Sequence, residues 1–233
     1  MASSSSSRVA LIFGTGSNVG AALVKGFLGA GYHVATVSRS KPASTPTNVH
    51  AIQADLSDPK AVPKVFQQLT SAGLAFPSVV IWNAAAVSPP SDPENPLEVD
   101  EDAFSRDFDL MVKSPYVAAR EAVRVWKEGE ETGRKGTFIV TGNFLPKKIL
   151  PVPALVGLGI GKSGANYWVG LADVAFKAKG IRFFFADERT AEGGPVGSKP
   201  DGEGHFKIFS QLLEDDELPY YVTFVNGKYQ EFS

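Results

Sequence analysis

The sequence predicts an α/β domain: one doubly wound, mainly parallel sheet with helices on both faces. Three observations predict it. Short, continuous apolar runs recur along the chain, as strands buried on both faces require. Helical stretches with an apolar stripe alternate with them. A glycine-rich turn follows the first run at once, where such folds take a ligand. The 233 residues suffice for one filled core. Residues 8–233 are therefore expected to form a single domain, after a flexible serine-rich tail over 1–7.

Val9-Ala10-Leu11-Ile12-Phe13 is the first buried run, stopped by Gly14. A helix is expected from Asn18 to Gly31, where Val19, Leu23, Phe27 and Leu28 share one face. His33 to Val37 and Val49 to Gln53 read as the next two strands, followed by a helix from about Asp58 to Thr70. Val79-Val80-Ile81-Trp82 is the fourth strand, ended by Asn83. After a Pro-rich loop, Ser88 to Pro96, a long helix runs from about Glu101 to Lys127, with a break expected near Ser114-Pro115 because proline disfavours helix in its predecessor. Thr137 to Thr141 is the fifth strand and Ala154 to Lys179 a helix despite four glycines. Ile181 to Ala186 is the sixth strand, Glu203 to Leu213 a helix, and Tyr220 to Val225 the final strand. Trp82 and Phe183-Phe184-Phe185 read as core, and Tyr167 as packing. His205 reads as a surface or subunit-contact residue.

Composition narrows the function. A net charge of -2 argues against a broad basic face for nucleic acid. No cysteine is present, which removes thiolate chemistry, and the three histidines have no metal-ligand spacing. No apolar run reaches membrane-spanning length and no secretory leader is legible, so a cytoplasmic protein is expected.

Gly14-Thr15-Gly16-Ser17-Asn18-Val19-Gly20 joins the first strand to the first helix. Glycines here let backbone amides approach a pyrophosphate, whose charge sits at the helix N-terminus. The stretch resembles the Gly-x-x-x-Gly-x-Gly turn of the short-chain dehydrogenase/reductase family, with Gly14 and Gly20 in place and Asn18 at the middle glycine. Asp55-Leu56 is similar to that family's adenine-contacting site, and Asn83-Ala84-Ala85 to its Asn-Ala-Gly motif. The resemblance implies a Rossmann-like fold and a nicotinamide dinucleotide on Gly14, Gly16, Ser17, Asn18, Val19, Gly20, Ser38, Arg39, Asp55, Leu56, Asn83, Ala84 and Lys162. At the end of the second strand Ser38-Arg39-Ser40 offers an arginine and no acid, which favours NADP(H) over NAD(H).

The catalytic half departs from the family. Its Tyr-x-x-x-Lys pair corresponds to Leu158 and Lys162, its serine to the Thr141-Gly142-Asn143 stretch, and its helical asparagine to Met111. Asp187-Glu188-Arg189 replaces the family's Pro-Gly. The resemblance thus runs from about Arg8 to Arg189 and marks an atypical member without the usual tyrosine. Lys162, Asn143, Thr141 and Asp187 are the candidate catalytic residues, with Thr141 and Asn143 as hydrogen-bond donors. The implied activity is an NADP(H)-dependent reduction of a small-molecule carbonyl or imine with a non-standard proton donor. Two alternatives stay open: a non-redox isomerase, cyclase or lyase on the same scaffold, and a catalytically silent NADP(H)-binding regulator. Resemblance also implies a homodimer or homotetramer through the two long helices, with Ala118, Ala119, Gly164 and Gly170 permitting close contact.

Overall fold

The computed structural model describes residues 8–40, 44–128 and 135–232; the serine-rich tail over 1–7 lies outside them. β1 (Val9–Phe13), β2 (His33–Ser38), β3 (Val49–Gln53), β4 (Val79–Trp82), β5 (Gly136–Thr141), β6 (Ile181–Glu188), β7 (Tyr221–Val225) and β8 (Lys228–Tyr229) form one sheet. Its order is β3-β2-β1-β4-β5-β6-β7-β8. Every pairing from β3 across to β7 is parallel, and only β8 runs antiparallel, against β7.

The helices are α1 (Val19–Gly29), α2 (Ala61–Ser71), α3 (Glu101–Phe108), α4 (Ser114–Trp126), α5 (Val156–Phe176) and α6 (Gly202–Leu212). One face of the sheet packs Leu11, Phe13, Val80, Trp82, Phe183 and Phe185 against α2, α4 and α5. The other packs Ala10, Ile12, Ile81, Phe184 and Val222 against α1 and α6. Alternate residues of each strand serve opposite faces, so central strands must be apolar throughout. Val19, Leu23 and Phe27 are the buried stripe of α1, each contributing about 1.5–3 kcal/mol by leaving water.

Three expectations are corrected. The long helix is not broken at Ser114-Pro115; a π-helical turn over Asp109–Lys113 precedes it, and α4 continues with proline in its first turn. Pro115 has no N–H to give and its ring crowds the preceding turn, which a wider turn accommodates. β6 does not end at Ala186 but extends two residues further, through Asp187 and Glu188. Val225 does not end the sheet: a turn with Asn226 and Gly227 at positive φ returns the chain as β8.

α5 lies close to α3 and the π-helical turn because glycines face them. A Cβ on Gly161 would sit 2.8 Å from Met111, and on Gly164 3.1 Å from Val112. The glycines that weaken a helix by propensity here permit its packing.

Candidate active site

The strand order reverses between β1 and β4, and open α/β sheets take ligands outside the strand ends at such a point. A cleft of about 690 Å³ opens there. Gly14, Thr15 and Gly16 line it from the turn after β1, Ser38, Arg39 and Ser40 from the end of β2, and Asp55, Leu56 and Ser57 from the end of β3. Asn83 to Ala86 follow β4, while Ser88, Arg106, Asp107 and Leu110 close the far wall.

The floor is built by close backbone contact. Gly14 has φ +90°, and a Cβ on it would lie 2.5 Å from the Ala84 nitrogen; one on Gly20 would lie 2.6 Å from the Thr15 Cα. Gly16, in contrast, faces open space. Such a turn suits a phosphate-bearing ligand, because side-chain-free backbone lets amides approach the charge. Asn83 Nδ2 donates to the Gly14 carbonyl (2.8 Å) and so ties the turn to β4. Asp55 accepts from the Ser57 N–H (2.9 Å) and Oγ (2.7 Å). Those hydrogen bonds, with the nearby Arg39 charge, hold its carboxyl below the usual range.

A second polar chain continues from Asn83. Thr141 Oγ1 donates to Asn83 Oδ1 (3.0 Å), and Lys162 Nζ donates to the Thr141 carbonyl (2.5 Å). Lys162 is only 5% exposed. Burial pushes its ammonium down to about 8, against the opposing pull of Asp187. Leu158 stands one turn before it on α5.

The family profile of the short chain dehydrogenases matches residues 8–144, more than half of the chain. The curated short chain dehydrogenase/reductase dmxR12 of Cryptosporiopsis sp. (strain 8999) is 36% identical over 95% of this chain and 93% of its own. This chain belongs to the short-chain dehydrogenase family. Solved members share the fold: a short-chain dehydrogenase/reductase from Serratia marcescens aligns with TM-score 0.73 at 20% identity over 94% of this chain and 96% of that one. A 4-hydroxyisoleucine dehydrogenase complexed with NADH and succinate aligns with TM-score 0.78 at 18% identity, over 93% and 96%.

Within that short-chain dehydrogenase fold the sequence-predicted residues divide. Gly14, Gly16, Ser38, Arg39, Asp55, Leu56, Asn83 and Ala84 meet in the cleft. Ser17 and Asn18 lie in the same turn and Val19 and Gly20 open α1, but none of the four lines the cleft. Asn18 Nδ2 instead donates to the Pro200 carbonyl (2.9 Å), so the segment after β6 rests on this turn. Thr141 and Lys162 connect to the cleft through Asn83. Asn143 accepts from the Leu145 N–H (3.1 Å) and shapes the loop after β5.

Asp187 is fully buried. Its Oδ2 accepts from Arg189 Nε (2.6 Å) and the Tyr221 hydroxyl (2.7 Å). Burial raises its carboxyl despite those partners. Glu188 accepts twice from the Asp201 N–H (3.1 and 3.0 Å), anchoring the segment that leads into α6.

Two residues were misplaced from sequence. His205 is not at the surface: it is 2% exposed, and its Nδ1 lies 2.8 Å from the Asp201 carbonyl. A carbonyl only accepts, so Nδ1 carries the proton, and burial lowers the ring's basicity. Tyr167 is 77% exposed, not packed. Ala118 and Ala119 are buried in the core, and a Cβ on Gly164 or Gly170 would meet Val112 or Tyr220 of the same chain. The sequence reading also missed Ser88, Arg106, Asp107 and Leu110 as cleft residues.

Proposed function

We propose that the protein is an NADP(H)-dependent reductase of a small-molecule carbonyl or imine, working without the family tyrosine. The observation that carries this reading is the company of Arg39 in the cleft: Ser38 and Ser40 flank it where β2 ends, and no carboxylate stands on that strand end to take a 2′-hydroxyl. A guanidinium between two hydroxyls suits a 2′-phosphate. The Gly14–Gly16 backbone would hold the pyrophosphate, and Asp55 with Leu56 the adenine end. Reduced nicotinamide supplies a hydride when bound.

The chain's own part is proton supply and orientation. Lys162 keeps most of its protons at neutral pH with a pKa near 8, which suits a donor whose proton must leave readily. Thr141 and Asn83 hold it in line with the phosphate turn. Leu158 has no proton to give. Asp187 acts on Lys162 through its charge, and Asn143 acts by shaping the loop beside Thr141.

The test is equilibrium binding of NADPH and NADH to the purified protein, followed by loss of reduced-cofactor absorbance across a carbonyl and imine panel. NADPH binding at least tenfold tighter than NADH, with turnover on some member, is expected. No turnover would favour the second reading, a silent NADP(H)-binding regulator. What favours that reading is that Lys162 already spends a hydrogen bond on Thr141 and lies outside the cleft lining.

We further propose a homo-oligomer. Tyr116 on α4 and Ile160, Tyr167, Leu171 and Val174 on α5 are exposed. The α5 residues fall on one helical stripe, which a second copy would cover.

A further inference from the structure

We propose that Arg106 is a ligand-binding residue, whose guanidinium lies flat against the adenine base of the bound dinucleotide and holds it in the cleft. The proposal rests on the dinucleotide reading of the cleft and adds a residue that reading did not contain.

The arginines divide by partner. Arg120 and Arg124 pair with Glu121, Arg182 with Asp173, and Arg189 with Asp187. Arg8 lies over the Tyr32 ring, 4.4 Å from its centre. Among the described residues that leaves Arg39 and Arg106, and neither side chain is in an ion pair, a hydrogen bond or a ring contact. Both line the same cleft. A guanidinium is a planar cation with five donors, so two of them left unengaged at one cleft suit a ligand with more than one group to hold.

Helix geometry aims Arg106 at the cleft. Asp107 and Met111 face α5: a Cβ on Gly157 would lie 3.2 Å from the Asp107 Oδ2, and one on Gly161 2.8 Å from the Met111 Cβ. Arg106 and Leu110 stand one position earlier on the same two turns, about 100° round the helix, and both line the cleft. Leu110 packs against the apolar cluster that contains Leu56, and Leu56 lines the cleft from the end of β3. The two leucines offer apolar surface to a flat ring. Arg106 is exposed, one turn before Leu110, and covers that ring from the solvent side.

Chemistry selects the base. On the dinucleotide reading the 2′-phosphate falls to Arg39 and the pyrophosphate to the Gly14–Gly16 backbone. What remains for the wall of Leu56 and Leu110 is adenine, an uncharged, electron-rich plane. A guanidinium stacks on such a face, whereas an ammonium acts there only as a point charge.

The test is calorimetric titration of the purified protein with NADPH, NADH and adenosine 2′,5′-bisphosphate, all of which carry adenine. Arg106→Ala should bind all three about five- to tenfold more weakly, the worth of a cation over a ring. Arg106→Lys keeps the charge but loses the plane, and should bind as weakly as Arg106→Ala. Arg106→Tyr restores a flat face without charge and should return to within threefold of wild type. The unliganded variants should melt with wild type, because the Arg106 side chain is exposed and engages no other. Affinities within twofold of wild type in Arg106→Ala overturn the proposal. So does rescue by lysine without rescue by tyrosine, which would make Arg106 a phosphate contact. If wild type binds none of the three compounds, the dinucleotide reading itself falls.

Discussion

At the scale of single residues, burial decides chemistry. Lys162 titrates near 8 because its ammonium has left water, and Asp187 recovers only part of that loss. As proton donor it must be charged, so turnover should hold below pH 8 and fall as pH rises through that value; a flat kcat profile from pH 6 to 10 would remove it. Lys162→Ala should abolish turnover while NADPH still binds. The same shift affects stability. Between the folded value of about 8 and the ordinary 10.5 the unfolded chain holds more proton, so folding should strengthen as pH rises across that window. The burial cost, on the order of 3 kcal/mol at 1.36 per pKa unit, is fully present below pH 8. Denaturant melts of wild type and Lys162→Met at pH 7 and 9.5 would show the difference shrinking. Arg39 is exposed, and on the proposed NADP(H) reading its charge takes the 2′-phosphate: Arg39→Ala should weaken NADPH about ten- to hundredfold, the worth of a charge-assisted contact, and leave NADH nearly unchanged in the same titration.

At the scale of elements, polar contacts fix how helices meet the sheet. Arg182 on β6 is fully buried and pairs with Asp173 on α5 at 2.9 Å. It also donates to the carbonyls of Asp216 and Leu218, both at 2.8 Å. Asp173 in turn accepts from the Phe183 N–H (2.9 Å). Removing one partner strands the other's charge, so Asp173→Ala should cost about 3–5 kcal/mol in urea unfolding. α5 shows what sequence can and cannot say. Its length was legible from the apolar period, and its glycines looked like defects. Their reason lies in α3 and the π-helical turn, elements far off in sequence. Asp107 did leave a trace: an acid four residues before buried Met111, on the inward stripe of a helix. Helical spacing marks it as out of place; that it lies against α5 appears only in the structure.

At the scale of the whole molecule, the unpartnered stripe of α5 carries the oligomer prediction. Tyr167→Glu with Leu171→Glu should convert the assembly to a monomer in light scattering, with the circular dichroism spectrum unchanged. A wild-type monomer would sink the interface.

What the sequence determined by itself is the alternation of strands and helices, the glycine turn after β1 and the residues at the ends of β2, β3 and β4. These are local: apolar period, turn chemistry and strand ends are written within a few residues. The tertiary structure decided where separate elements meet. It placed His205 inside and Tyr167 outside, turned Asp187 toward Arg189 and Tyr221, and set Asp107 against α5. Burial and pairing of a charge depend on neighbours distant in the chain, and packing alone brings those together.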